Sequence, residues 1–165
     1  MIILGIDPGV AIIGYGIIRY ERGRAVTLAH GAITTPAHTD LATRLSMIHR
    51  DLTDLVAMYR PDEAAVEELF FNTNITTGIA VAEARGVILL TLHENGVACY
   101  EYTPLQVKQA VVGYGRAEKN QVIMMVQSIL NLKCRPKLDD TADALAIAIC
   151  HAHTEASRLR DHYNQ

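Results

Sequence analysis

The residue that most restricts what this chain can become is Asp7. It closes an apolar run, Ile2-Ile3-Leu4-Gly5-Ile6, and Pro8-Gly9 follows at once. A buried strand that ends in a carboxylate and a tight turn presents that carboxylate at the rim of a sheet. Two further acidic features are able to meet it there. Glu67 follows the apolar Ala64-Ala65-Val66, and Asp140 and Asp143 stand three apart at the start of an apolar helix. Carboxylates gathered at one point repel: two unit charges ~4 Å apart at an effective dielectric of ~20 cost roughly 4 kcal/mol. Such a cluster must take up protons or a hard cation. The cation reading makes the chain a candidate metal-dependent phosphoryl-transfer enzyme.

Periodicity supplies a frame for these acids. Residues 2–7, 14–20 and 25–35 read as three strands of an antiparallel meander, with a turn at Glu21-Arg22-Gly23-Arg24. Leu41, Leu45, Ile48, Leu52, Leu55, Val56 and Tyr59 recur at helical spacing, and Pro61 stops that helix. A short strand is expected over 63–69. A helix capped by Asn74 then runs to Asn95-Gly96, and another strand covers 97–102. Short helices near 104–111 and 118–130 precede a last helix over 140–157. The expected fold is α/β: a mixed central sheet flanked by helices in three layers. Residues 1–157 are expected to form one domain, with 158–165 as a polar tail.

The 74–95 helix is apolar on most sides, with Gly78, Ala82, Gly86 and Leu90 on one stripe. It reads either as a central core helix or as one packed on its own domain by one face and on a second subunit by the other.

Composition narrows the function classes. Half of the 165 residues are hydrophobic, which argues against disorder. Cys99, Cys134 and Cys150 have no paired spacing, so a reducing cytoplasmic setting is expected, with neither a disulfide framework nor a zinc site. The apolar runs are too short to span a bilayer. The net charge of −3 argues against a general nucleic-acid binder unless positive residues cluster.

Each acid also has a plain structural explanation. Asp7 suits a turn, and Asp139 or Asp140 suits a helix N-cap. Polarity alone does not choose between Glu67 and Glu68. Asp143 is harder to explain so, because it borders the apolar Ala144-Leu145-Ala146-Ile147-Ala148-Ile149 and needs a partner there. An all-carboxylate set selects Mg²⁺ or Mn²⁺ over Zn²⁺. His151 and His153, two apart, do not share a helix face and make a poor metal pair. Gly9, Gly14 and Gly16 lack the following Lys and helix of a phosphate loop.

Ile6-Asp7-Pro8-Gly9 with Gly14-Tyr15-Gly16, Val66-Glu67-Glu68-Leu69-Phe70-Phe71, Ala84-Arg85-Gly86, Gln106-Val107-Lys108-Gln109, Ala117-Glu118-Lys119 and Asp140-Thr141-Ala142-Asp143-Ala144-Leu145-Ala146 occur in one order and spacing. Over residues 1 to 153 this pattern resembles the RuvC family of bacterial Holliday-junction resolvases. The resemblance implies an RNase H-like fold, a homodimer, and cutting of four-way junction DNA with two Mg²⁺ ions per site, for which Mn²⁺ substitutes. It implies that Asp7, Glu67, Asp140 and Asp143 hold metal, with Asp7 between the two ions. It implies that Lys119 and Lys108 lie near the scissile strand and that Phe70 meets bases near the junction centre. It also suggests cooperation with the RuvA and RuvB branch-migration proteins.

A basic cluster supports DNA contact. Lys108, Arg116, Lys119, Lys133, Arg135 and Lys137 face one acid, Glu118, between 108 and 138, and Arg116 joins the DNA-binding candidates. The segment 72–77 carries no basic residue, unlike many members of the family. The rival readings are an RNase H-like nuclease for flaps or RNA:DNA hybrids, a junction-binding module that does not cut, and an actin-like or sugar-kinase ATPase, for which the chain is short.

Overall fold

In a computed structural model that describes residues 1–69 and 75–163, the expected meander forms. β1 (Ile2–Asp7) pairs antiparallel with β2 (Ile12–Glu21), which pairs antiparallel with β3 (Arg24–Thr34). α1 (Leu41–Tyr59) follows. Asp40 caps it through a 2.9 Å bond from the Thr43 amide, and left-handed Arg60 ends it before Pro61. β4 (Glu63–Glu67) then lies parallel to β1, α2 (Ile75–Glu94) crosses over, and β5 (Ala98–Tyr102) lies parallel to β4. α3 (Pro104–Val112), α4 (Lys119–Leu130) and α5 (Asp139–Tyr163) complete the chain. The sheet order is β3-β2-β1-β4-β5.

Three boundaries differ from expectation. β2 begins at Ile12, because Ile12 still pairs with Thr34 of β3. β4 stops at Glu67, one residue past its last pairing with β1, Ile6 to Val66. The last helix continues through much of the expected polar tail to Tyr163, a stretch without Gly or Pro to break it.

Two cores sandwich the sheet. Ile3, Ile18 and Ala65 pack with α3, α4 and α5 on one face. Leu4, Ile6, Ile17, Ala64 and Val66 pack with α1 and α2 on the other. Side chains alternate along a strand, so Asp7 and Glu67 share the α5 face. α5 lies almost on the backbone of β1 and β2, where only glycine leaves room. A Cβ on Gly5 would sit 2.1 Å from the Ala144 carbonyl oxygen, and one on Gly14 would sit 2.0 Å from that of Asp140. These glycines serve helix–sheet packing, not phosphate binding.

α2 is one-sided. Ala84, Ile88, Thr91 and Leu92 are fully buried, whereas Ile79 and Leu90 are exposed and Gly86 faces open space. The wholly buried alternative for this helix is thereby set aside. Among the described residues no helix is long and apolar enough to cross a membrane.

Candidate metal and junction-DNA site

Parallel pairing of β1 with β4 brings two strand ends side by side. The register matches Ile6 with Val66, so Asp7 and Glu67 are the next residues on adjacent strands. Open α/β sheets place their sites at such carboxyl ends. The third element is the first turn of α5. Asp7 pairs with Gly14, and the missing side chain of Gly14 admits the Asp140 backbone. The Thr141 hydroxyl donates to the Gly31 carbonyl at 3.1 Å and ties the helix start to β3. The structure thus gathers the four predicted carboxylates at one rim.

The electrostatics of that rim are unfavourable without a cation. Burial, then the charges of Glu67, Asp143 and Asp140, push the Asp7 carboxyl up to about 8, with Lys119 opposing. Burial and Asp143 raise Glu67 to about 7 against Lys108 and Lys119. Burial also raises Asp143, although its bond to Lys119 pulls the other way. Lys119 Nζ stands 3.0 Å from Asp143 and 3.7 Å from Asp139. Burial works against its charge, but the hydrogen bond to Asp143 and the surrounding acids outweigh that and raise its pKa.

Among the described residues no three acidic, His or Cys side chains are already drawn together as a metal-holding group, and Asp143 is engaged by Lys119. The donors themselves are the right kind. They are hard oxygen ligands with no Cys or His among them, and with Asp7 raised to about 8 and Glu67 to about 7, a divalent cation would displace protons from these two carboxyls near neutral pH.

Beside the carboxylates a cavity of about 220 Å³ is lined by Glu67, Pro104, Lys108, Lys119 and Asp143, with Val107, Val122 and Ala146 as its apolar wall. Lys108 and Lys119 thus share this cavity with Glu67 and Asp143. α3 delivers Lys108 because Thr103 caps it in a reciprocal box with Gln106. Arg116 is exposed in the connection between α3 and α4 and does not line this cavity. Phe70, and all of 72–77 except the helical backbone from Ile75 on, lie outside the described residues or side chains.

Sequence reasoning assigned no role to Arg85. Its Nε donates to the Glu67 carbonyl at 3.4 Å and its Nη2 pairs with Glu101 at 2.5 Å. The signal was present, since Arg85 is the only Lys or Arg in a 20-residue apolar helix.

A mixed sheet of this order, with carboxylates from two parallel strand ends and a helix start at one rim, defines an RNase H-like domain. The family model described as crossover junction endodeoxyribonuclease RuvC matches residues 3–151. A crossover junction endodeoxyribonuclease RuvC from Clostridioides difficile (strain 630) is 58% identical over 154 residues, 93% of this chain and 91% of its own. One from Heliobacterium modesticaldum is 59% identical over 93% of this chain and 95% of its own. This chain belongs to the RuvC family. RuvC from Thermus thermophilus superposes with a TM-score of 0.87 at 36% identity, over 95% of this chain and 96% of its own. The same protein, in complex with Holliday junction substrate, gives a TM-score of 0.87 at 35% identity. The yeast mitochondrial resolvase Ydc2, at 14% identity and a TM-score of 0.70, shares the fold.

Proposed function

We propose that the chain is a structure-specific endonuclease that resolves four-way DNA junctions by paired symmetric nicks. Family membership supports the reaction class. The observation that carries the site is the convergence of Asp7, Glu67, Asp140 and Asp143 at one sheet rim, where burial and neighbouring charges raise the carboxyls of Asp7, Glu67 and Asp143.

In this reading the four carboxylates hold divalent cations, Mg²⁺ in the natural reaction and two per site, with Mn²⁺ as a substitute. Bound there, such ions supply an activated water and stabilise charge on the phosphate and its leaving oxygen. The chain's own residues do the rest. Asp7, between β1 and its turn, would hold metal at the middle of the set. Glu67 flanks it from β4, and Asp140 and Asp143 close the set from α5. Lys119 neutralises Asp143 while no substrate is bound. It then turns its ammonium to the developing negative charge of the scissile phosphate. Lys108 contacts phosphate on the cavity's other wall. Arg116 extends the basic track from its exposed loop, and Phe70 stacks on bases at the junction centre.

Paired nicks need two sites related by a two-fold axis. We assign the seam of that homodimer to the outer face of α2, where Ile79 and Leu90 are exposed around Gly86. RuvA and RuvB branch-migration proteins are the assigned partners, and the cytoplasm, where Cys99, Cys134 and Cys150 stay free, is the assigned setting.

The test is a labelled synthetic four-way junction beside a matched linear duplex, in Mg²⁺ and in EDTA. Paired symmetric nicks in the junction alone, and only with Mg²⁺, support the reading. Binding without cutting, across several junction sequences and with Mn²⁺, would reject it in favour of a binding module.

A further inference from the structure

The hydrogen bonds at the end of β4 pose a mechanical problem. Pairing with β1 ends at Val66, yet Glu67, the next residue, must hold its carboxylate still. On the β5 side the Glu68 amide donates to the Tyr102 carbonyl at 2.9 Å. After Asp7 the chain runs into Pro8, which has no N–H to offer the Glu67 carbonyl. The bond it accepts comes instead from Arg85, on α2. Arg85 approaches from the face opposite the carboxylates, since Val66 packs towards α1 and α2 while Glu67 faces α5. Its guanidinium is anchored a second time by Glu101 of β5, and its side chain is only 16% exposed.

We propose that Arg85 is a positioning residue for metal binding, pinning the Glu67 peptide from behind the sheet. The inference rests on reading Glu67 as a metal-holding carboxylate. A planar guanidinium suits the task, because its rigid fork spans two strands and remains charged when buried. Partners that orient a metal ligand are worth ~10- to 100-fold in metal affinity. A lysine offers one point charge in place of the fork and holds only one of the two acceptors.

The decisive measurement is Mn²⁺ binding to the DNA-free protein, by electron paramagnetic resonance, for wild type, Arg85→Met, Glu101→Gln and Glu67→Gln. Arg85→Met should stay folded by circular dichroism and bind Mn²⁺ roughly 10-fold more weakly. The Mg²⁺ midpoint for junction cutting should rise by the same factor, with junction binding in EDTA unchanged. Arg85→Lys should recover only part of the loss. If Arg85→Met does not fold, Glu101→Gln decides, because it keeps Arg85 and removes its anchor; a shift of roughly 3-fold supports the role. Wild-type Mn²⁺ binding in Arg85→Met, or in Glu101→Gln when Arg85→Met cannot be studied, overturns the role even if cutting falls. Glu67→Gln separates the two ideas: wild-type Mn²⁺ binding there sinks the site itself, and the role of Arg85 with it.

Discussion

Glu63 and Glu67 open and close the same five-residue strand and point to the same face, yet they live under opposite conditions. At the start of β4, Glu63 accepts from fully buried His151, whose Nε2 lies 2.6 Å away, and from the Tyr100 hydroxyl at 3.4 Å. The other ring nitrogen of His151 bonds the Tyr102 hydroxyl at 2.7 Å, and the Tyr100 ring packs on the imidazole with centroids 4.7 Å apart. Every polar group there has found a complement. At the end of the strand, Glu67 meets Asp7 and Asp143, and each carboxyl is raised by burial and by its neighbours. One end is a closed hydrogen-bond network that holds β4, β5 and α5 together. The other keeps an electrostatic debt that a metal ion can settle. Perturbed carboxylates mark function only when no protein partner already satisfies them.

Breaking the open end should have the largest effect on chemistry. Asp7→Asn removes the most perturbed carboxylate, and cutting should fall by about 10³-fold or more while junction binding persists. Gel-based cutting and binding assays check both, and unchanged cutting would end the site assignment.

The pH dependence of stability follows next. Asp7 and Glu67 are raised in the folded state, from 3.8 to about 8 and from 4.5 to about 7. Protonation favours the fold, so the stabilisation is fully present below about pH 4 and is lost as pH rises through 7 to 8. In EDTA the protein should melt at lower temperature at pH 8 than at pH 5. Mg²⁺ should restore the loss at pH 8, and Asp7→Asn should flatten most of the slope. Equal melting of wild type at both pH values in EDTA would contradict the frustrated rim.

The closed end should behave in the reverse way. His151→Ala removes the buried imidazole that bonds both the Glu63 carboxylate and the Tyr102 hydroxyl, which should cost about 2–4 kcal/mol of stability by urea unfolding. The Mg²⁺ midpoint for cutting by the folded fraction should stay near wild type. A large midpoint shift would mean that the two ends of β4 are coupled.

The smallest effect on the fold is expected on the outer face of α2. Gly86 faces open space, so Gly86→Leu should leave the monomer as stable or stabilise it by ~0.5–1 kcal/mol through helix propensity. Overpacking of the proposed seam should nonetheless dissociate the proposed dimer. A variant that stays dimeric by light scattering would count against α2 as the seam.

Much of this architecture was legible in the chain. The apolar run before Asp7, the helical spacing from Leu41 to Tyr59 and the Thr103 cap are local signals, and the elements form where they indicate. Boundaries set by a partner strand were not legible. β2 is longer than expected because pairing with β3 carries it back to Ile12, and β4 is shorter because it ends with its last pairing to β5, Glu67 to Tyr102. The choice of Glu67 over Glu68 could not come from polarity alone, and it took a resemblance to make it from sequence. In the fold it follows from Ala65 packing under α5 and Val66 under α2.

By itself the sequence determined the three-layer α/β class and the family, because periodicity and motif order are properties of the chain. Only the tertiary structure decided which acids meet, that glycines at 5 and 14 let α5 lie on the strands, and that Arg85 grips Glu67 from behind. The reason is physical: these contacts join residues up to about 140 positions apart, and their geometry depends on sheet register and helix approach, which no local pattern encodes.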